Sequence, residues 1–263
     1  MNNRPLGIFD SGIGGLTIYS AVKKLLPGEN FVYLADQKNF PYGEKTNVEI
    51  KKIAFQASQF LANQGCKGII IGCNTATVSA IKSLRQLFPR LFFAGVVPMV
   101  KPAVEKSRSG HFIILSTQAT QQSDYLKELI DRFAQGKKVY NLACPGLVEL
   151  IEKGPAEKRP LNNLLKLCLE TALRDKKVDV LAAGCTHFPF VKEEIIRFLP
   201  PRINFLEPGS AVARQVKKVL IGKKLLAEKK QTDLFFTTGK ASNLEKAVNQ
   251  LLGFKTKAEK VKY

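Results

Sequence analysis

Acidic residues are scarce in this chain: 22 Asp and Glu stand against 41 Lys and Arg, a formal net charge of +19 over 263 residues. Such a surplus suits acidic partners, whether nucleic acid, a membrane surface or a small anion. The lysines are spread out, however. They recur as pairs at 23–24, 51–52, 137–138, 176–177, 217–218, 223–224 and 229–230, mostly beside apolar residues at helical spacing. That pattern describes solvated helical faces. An interleaved aromatic pattern and a recognition-helix motif are both missing, so a dedicated nucleic-acid site is not indicated.

Cysteine is sparse and unpatterned. The five residues, at 66, 73, 144, 168 and 185, are odd in number, irregular in spacing and without a Cys-x-x-Cys. They describe neither a disulfide framework nor a zinc site, and a reducing cytoplasm is the expected compartment. Cys66, Cys144 and Cys168 lie in apolar contexts and are expected to be small buried hydrophobes. No apolar run approaches the roughly 20 residues of a spanning helix. "MNNRPLGIFDSG" turns strand-like too soon for a signal peptide, and a soluble intracellular protein with no membrane role is expected.

The chain is long enough for one large domain or two ordinary ones, and 45% hydrophobic residues can fill a core. Short β-rich runs alternate with amphipathic segments: "LGIFD" then 15–26, "NFVYLAD" then 45–64, "GIIIG" then 75–88, "LFFAGVV" then a short helix from 98. The pattern restarts with "HFIILST" before a helix near 120–134, "KKVYNLA" before 146–153, "VDVLAAG" before 188–198, and "INFLEP" before 209–227. Strand–helix alternation implies parallel sheets. Asp10 falls opposite Thr117, Asp36 opposite Cys144 and Cys73 opposite Cys185, at offsets of 107, 108 and 112 residues. The expectation is an α/β protein of two pseudo-equivalent, doubly wound domains facing each other across a cleft. One domain would hold residues 1–97 plus 208–263, where a last strand "DLFFTTG" and a helix 242–252 complete it; the other would hold 98–207.

The restart carries a repeated turn. "IIIGCNTATVSA" (69–80) and "VLAAGCTHFPFV" (180–191) each break an apolar run with Gly-Cys and a polar pair. In open parallel sheets, ligands bind beyond the carboxyl ends of strands, where Asp10, Cys73, Thr117 and Cys185 are all placed. A thiol of ordinary pKa near 8.5 costs about 2 kcal/mol to hold as thiolate at pH 7, and a helix start or a histidine can offset that. His187 follows Cys185 by two residues. Two such thiols can take a proton from one face of a carbon acid and return one to the other, inverting a stereocentre. Ser11, Asn74 and Thr75, with their backbone N–H groups at helix starts, suit a carboxylate. Asp10 can orient an ammonium or relay a proton near Cys73, His187 can relay one near Cys185, and Glu152 is a further candidate carboxylate. His111 is read as a surface or loop residue, and Glu149, Glu152 and Glu157 can also be read as solvated helix charge.

Gly12-x-Gly14-x-x-Thr17 follows a strand, and Asp36 ends the next one, nearly a dinucleotide fingerprint. The third glycine is missing and Asp10-Ser11 puts polar groups where that motif packs its turn, which argues against a bound dinucleotide.

Taken together, "GIFDSGIGGLT", "FPYGEKT", "GCNTAT", the "ST-x-x-T-x-x-S-x-Y" run at 116–125, "LACPGLVELIE" and "GCTHFP" resemble the glutamate racemases of the aspartate/glutamate racemase superfamily over nearly the whole chain. The resemblance implies cofactor-independent interconversion of L- and D-glutamate, supply of D-glutamate to peptidoglycan, and a homodimer. It implies that Cys73 and Cys185 are the catalytic thiols, with Asp10, His187 and Glu152 as acid/base helpers. Asp10, Ser11, Pro41, Tyr42, Gly43, Asn74, Thr75, Thr117, Thr120 and Thr186 would contact substrate, and no metal is called for. The chain departs from the family pattern at "GVVPMVKPA" (95–103), at Ser116 and at Glu207. Two alternatives stay open: a racemase of another amino acid such as aspartate, and a basic protein on the same fold whose partner is nucleic acid or DNA gyrase.

Overall fold

The structure is a computed structural model that describes residues 2–154, 158–227 and 232–263; Glu157 and the Lys229–Lys230 pair lie outside them. The chain divides into two compact units: residues up to Val96 with Gly209–Tyr263, and Val97–Pro208.

In chain order the first unit begins with β1 (Leu6–Asp10), α1 (Gly15–Leu25), β2 (Phe31–Ala35), α2 (Asn47–Asn63), β3 (Gly68–Ile71), α3 (Asn74–Leu87) and β4 (Phe92–Gly95). The second holds α4 (Val100–Lys106), β5 (His111–Ser116), α5 (Gln118–Gln121), α6 (Asp124–Phe133), β6 (Lys138–Ala143), α7 (Leu147–Lys153), α8 (Lys158–Leu173), β7 (Val180–Gly184), α9 (Lys192–Phe198) and β8 (Asn204–Leu206). The chain then returns to the first unit with α10 (Gly209–Gly222), β9 (Leu234–Thr237), α11 (Ala241–Leu252) and β10 (Ala258–Lys260).

Every strand pairing is parallel. The first sheet runs β10-β9-β2-β1-β3-β4 and the second β6-β5-β7-β8. Matching β1 with β5, β2 with β6, β3 with β7 and β4 with β8 gives the same spatial order in both, which is the sequence repeat made visible. Central strands are buried on both faces, as a helix-covered parallel sheet requires. α2 and α3 pack together, as do α1 and α10, and in the second unit α4 packs with α6 and α7 with α8. The second core gathers Phe112, Ile114, Val180, Ala182, Val100 and Leu126.

Local signals explain most boundaries. Thr46 and Glu49 close a capping box at the start of α2: Glu49 N donates to Thr46 Oγ1 at 3.3 Å and Thr46 N to Glu49 Oε2 at 2.9 Å. A cap of this kind is worth about 1 kcal/mol. The helix expected near 120–134 is two helices, because Thr117 caps α5 and Ser123 caps α6, each accepting a backbone N–H three residues on. α10 stops at Gly222 rather than 227. Two elements were not expected. α8 buries Leu161, Leu165 and Leu169 on one face, a four-residue spacing that the sequence does display. β10 is a mostly exposed "AEK", held by the β9 edge rather than by any apolar pattern of its own.

Two residues depart from their sequence reading. Cys144 and Cys168 are not separate buried thiols: they form a disulfide, because the end of β6 and α8 bring their Cα atoms to 5.6 Å, within bridging range. A sequence separation of 24, with α7 in between, hides that closeness from spacing alone. His111 opens its strand, β5, as read, and is half-buried, with Nδ1 2.7 Å from Asp175 Oδ2, to which Tyr140 also donates at 2.9 Å. Cys66 fits its reading: it is fully buried, and burial pushes its thiol up to about 12.

Candidate active site

In the first unit the polar residues gather at the carboxyl ends of β1, β2 and β3. Asp10 closes β1, is fully buried, and its Oδ1 accepts from Gly12 N at 2.8 Å. Tyr33 OH donates to the Gly12 carbonyl at 3.1 Å, which fixes the loop before α1. Cys73 is the N-cap residue of the 14-residue α3, and Ser11 Oγ lies 3.9 Å from its sulfur. Thr77 secures the turn by donating its hydroxyl to the Cys73 carbonyl at 2.8 Å.

Asn74 and Thr75 are buried in the first turn of that helix. Both side-chain polar atoms of Asn74 are without a partner among the described residues. A buried amide in that state costs about 1–3 kcal/mol per missing bond unless something else supplies it.

Tyr42 and its neighbours Pro41 and Gly43 form the loop that follows β2, with the Phe40–Pro41 peptide bond cis. Tyr42 is buried and donates to Asp36 Oδ2 at 2.7 Å. Burial, then the Asp36 charge, push its pKa well above the ordinary value, so it stays a neutral donor. Asp36 also accepts from Asn39 Nδ2 at 2.9 Å and from Thr238 Oγ1 at 2.8 Å. The carboxylate that the dinucleotide reading needed for a ribose is therefore engaged in holding this loop.

The second unit builds a different neighbourhood around Cys185. Its sulfur lies 3.9 Å from His187 Nδ1, and His187 Nε2 lies 2.8 Å from Glu152 Oε1 on α7. The cysteine and the histidine are buried, and the Glu152 side chain is 17% exposed. An ionised carboxylate can only accept, so Glu152 favours a proton on Nε2, and in the neutral imidazole Nδ1 then faces the thiol as an acceptor. Glu152 is thereby distinguished from Glu149 on the same helix. Cys185 does not open a long helix, as its twin does: a short 3-10 turn (Phe188–Val191) and the seven-residue α9 follow it. Here the aid comes from histidine instead.

Thr186 is buried beside Cys185. Thr117 follows β5 and caps α5, donating its hydroxyl to Thr120 Oγ1 at 3.1 Å, so both threonines have structural work as well as a place at the strand end.

The repeated Gly-Cys has one physical cause in both places. A Cβ at Gly72 would sit 3.1 Å from the Phe9 carbonyl oxygen and 3.2 Å from Gly15 Cα. At Gly184 it would sit 2.9 Å from Ser116 Cβ and 3.0 Å from the Leu115 carbonyl oxygen. Each glycine lets its strand end lie against the neighbouring strand, so the following cysteine is presented at the sheet's edge of approach.

Among the described residues no cluster of three or more His, Cys, Asp and Glu is placed to hold a metal ion, and no helix is long and apolar enough to cross a membrane.

Two parallel α/β sheets of matching strand order, each delivering a Gly-Cys turn at its carboxyl edge, define a duplicated α/β class with paired thiols. Residues 14–216 match the family of Asp/Glu/hydantoin racemases, and the chain belongs to that family. It is 36% identical over 231 residues to the glutamate racemase of Clostridium perfringens, covering 88% of each chain. The glutamate racemase of Francisella tularensis, solved in complex with D-glutamate, superposes with a TM-score of 0.89 at 28% identity, over 100% of this chain and 98% of that one. The Escherichia coli glutamate racemase, solved with L-glutamate and the activator UDP-MurNAc-Ala, superposes with a TM-score of 0.85 at 31% identity, over 98% of each chain.

Proposed function

We propose that the chain is a glutamate racemase that interconverts L- and D-glutamate by moving the α-proton between two thiols, without a cofactor, and so supplies D-glutamate for peptidoglycan. The observation that carries this reading is the pair of Gly-Cys turns at equivalent strands of two matching sheets, each with its own proton acceptor or anion-stabilising partner. Likeness to proteins solved with either enantiomer of glutamate supports the substrate.

In this mechanism one cysteine, as thiolate, removes the α-proton from one face, the electron pair moves into the carboxylate as the carbanion forms, and the other cysteine, as thiol, protonates the opposite face. The reverse direction exchanges their roles. No electron is gained or lost. The N-terminus of α3 offers its partial positive charge to a thiolate at Cys73, and Asp10 is the carboxylate assigned to the same end of the sheet. On the other side His187 takes the Cys185 proton at Nδ1 while Glu152 stabilises the imidazolium that results. Asn74, Ser11, Thr75, Thr117, Thr120 and Thr186, with the Pro41–Gly43 loop, are assigned to the substrate's carboxylates and ammonium. The homodimer and the cytoplasmic location follow from family likeness and are part of the same proposal.

The test is incubation with L-glutamate in deuterated water, following optical activity and α-deuterium together. Loss of rotation with deuterium entering the product supports the reading. No exchange with glutamate, but exchange with aspartate, moves the substrate assignment; no exchange with either sinks the reading.

A further inference from the structure

Glu152 is presented to His187 by a short helix. α7 has seven residues, and its N-cap, Gly146 at φ 81°, offers no side-chain hydrogen bond to the first turn. A helix of that length does not stand by itself in water, so its place is set by what it packs against and what it is tied to. Leu147, Val148 and Ile151 bury one face, and the helix lies against both α8 and the 3-10 turn that follows His187. The tie is covalent. Cys144, between the end of β6 and α7, is bonded to Cys168 on the 16-residue α8.

Cys144 is buried, its N donates to the Ser116 carbonyl at 3.1 Å, and its own carbonyl accepts from Leu147 N at 3.3 Å. One residue thus joins the sheet, the start of α7 and, through sulfur, α8. Glu152 stands about 7.5 Å along α7 from Leu147, and its bond to His187 Nε2 is 2.8 Å long. A bond of that kind tolerates a shift of only a few tenths of an ångström. Disulfides that form in a reducing cytoplasm are mostly transient, catalytic or redox-sensing rather than staples. Cys168, half-buried, is the side from which a reductant reaches this one. We propose that Cys144 and Cys168 are positioning residues: their bridge clamps the start of α7 and so keeps Glu152 in bonding range of His187, and opening it slackens the relay to Cys185. The inference rests on the reading of His187 and Glu152 as the proton relay of a racemase.

The experiment uses the full chain, with Cys168→Ser to open the bridge, Glu152→Gln, and the two combined, read by steady-state kinetics with glutamate across pH. Cys168→Ser leaves the turn between β6 and α7 unaltered and lowers kcat about tenfold with little change in KM. Its pH profile moves toward that of Glu152→Gln. In the Glu152→Gln background the same opening costs less than about twofold, because the group being positioned is already impaired. Losses that multiply overturn the inference, since a bridge that merely stabilises the unit harms both backgrounds alike. The wild-type chain supplies a check without any substitution. The two thiols of dithiothreitol displace the bridge, passing two electrons and two protons to Cys144 and Cys168 and closing to a cyclic disulfide. Titratable thiols in the denatured chain then rise from three to five, and kcat falls as in Cys168→Ser. An unchanged kcat with five thiols, or five thiols in protein first equilibrated with glutathione disulfide as oxidant, overturns the inference as well. Failure of the bridged wild type to turn over glutamate strikes the proposed function and the inference with it, whereas turnover with multiplying losses strikes the inference alone.

Discussion

Glu152 reaches Cys185 only through His187, so its replacement tests the relay without touching either thiol. Glu152→Gln keeps the side chain's size and can still hydrogen-bond the ring, but it no longer stabilises a charged imidazole. The expected result is a kcat lower by about 10²-fold, with the loss in kcat/KM equal in both directions because the enantiomers have equal free energy, a shifted pH profile and little change in midpoint. A normal kcat would make Glu152 solvated helix charge after all. At this scale the sequence was generous with the cysteines, whose twin context is visible in the letters. It was poor with their partners. The 2.8 Å contact between His187 and Glu152 joins residues 35 apart on different elements, and although both were candidates nothing in the sequence pointed to their contact. Asn74 was legible as a helix-start residue, but not as an amide without a partner.

At the scale of elements, the two glycines before the cysteines set how closely the strands approach. Gly184→Ala would drive a methyl group against Ser116 Cβ and the Leu115 carbonyl oxygen, at an expected cost of about 1–3 kcal/mol by overpacking. Pairing it with Ser116→Gly removes one of the two clashes, so chemical denaturation should show partial recovery in the double variant. A double variant no better than Gly184→Ala alone would locate the strain elsewhere. Ser116 stood out in the sequence as a departure from the family pattern; the structure shows what it leans on. The strands with continuous apolar runs were readable because a doubly covered parallel sheet writes that pattern. β10 was not, since its backbone bonds to β9 specify it and its side chains do not. α8 carried a readable leucine stripe.

For the molecule as a whole, the matching strand orders of the two sheets were foreshadowed by near-constant offsets, whereas the Cys144–Cys168 disulfide was foreshadowed by nothing. Acid stability of the second unit should depend on the cluster at the opposite, amino-terminal end of its sheet. Hydrogen bonding from His111, then from Lys177 N, holds the Asp175 carboxyl down from its ordinary 3.8 to about 2. A carboxyl depressed in the folded state stabilises above its unfolded pKa and loses that contribution as pH falls through the folded value. The midpoint difference between wild type and Asp175→Asn should therefore be full at pH 6 and vanish between about pH 4 and pH 2. A difference that persists unchanged to pH 2 would contradict the assignment.

If two thiols serve one stereocentre, α-proton exchange in Cys73→Ser and Cys185→Ser must show it. Each variant is given pure L- and pure D-glutamate in deuterated water, and racemisation and α-deuterium are followed separately. Racemisation should fall by at least about 10³-fold in both, because a hydroxyl is a far poorer base than a thiolate, with any residual exchange confined to the enantiomer facing the remaining cysteine and the two variants retaining opposite enantiomers. Near-normal racemisation in either variant, or residual exchange of the same enantiomer in both, would contradict it.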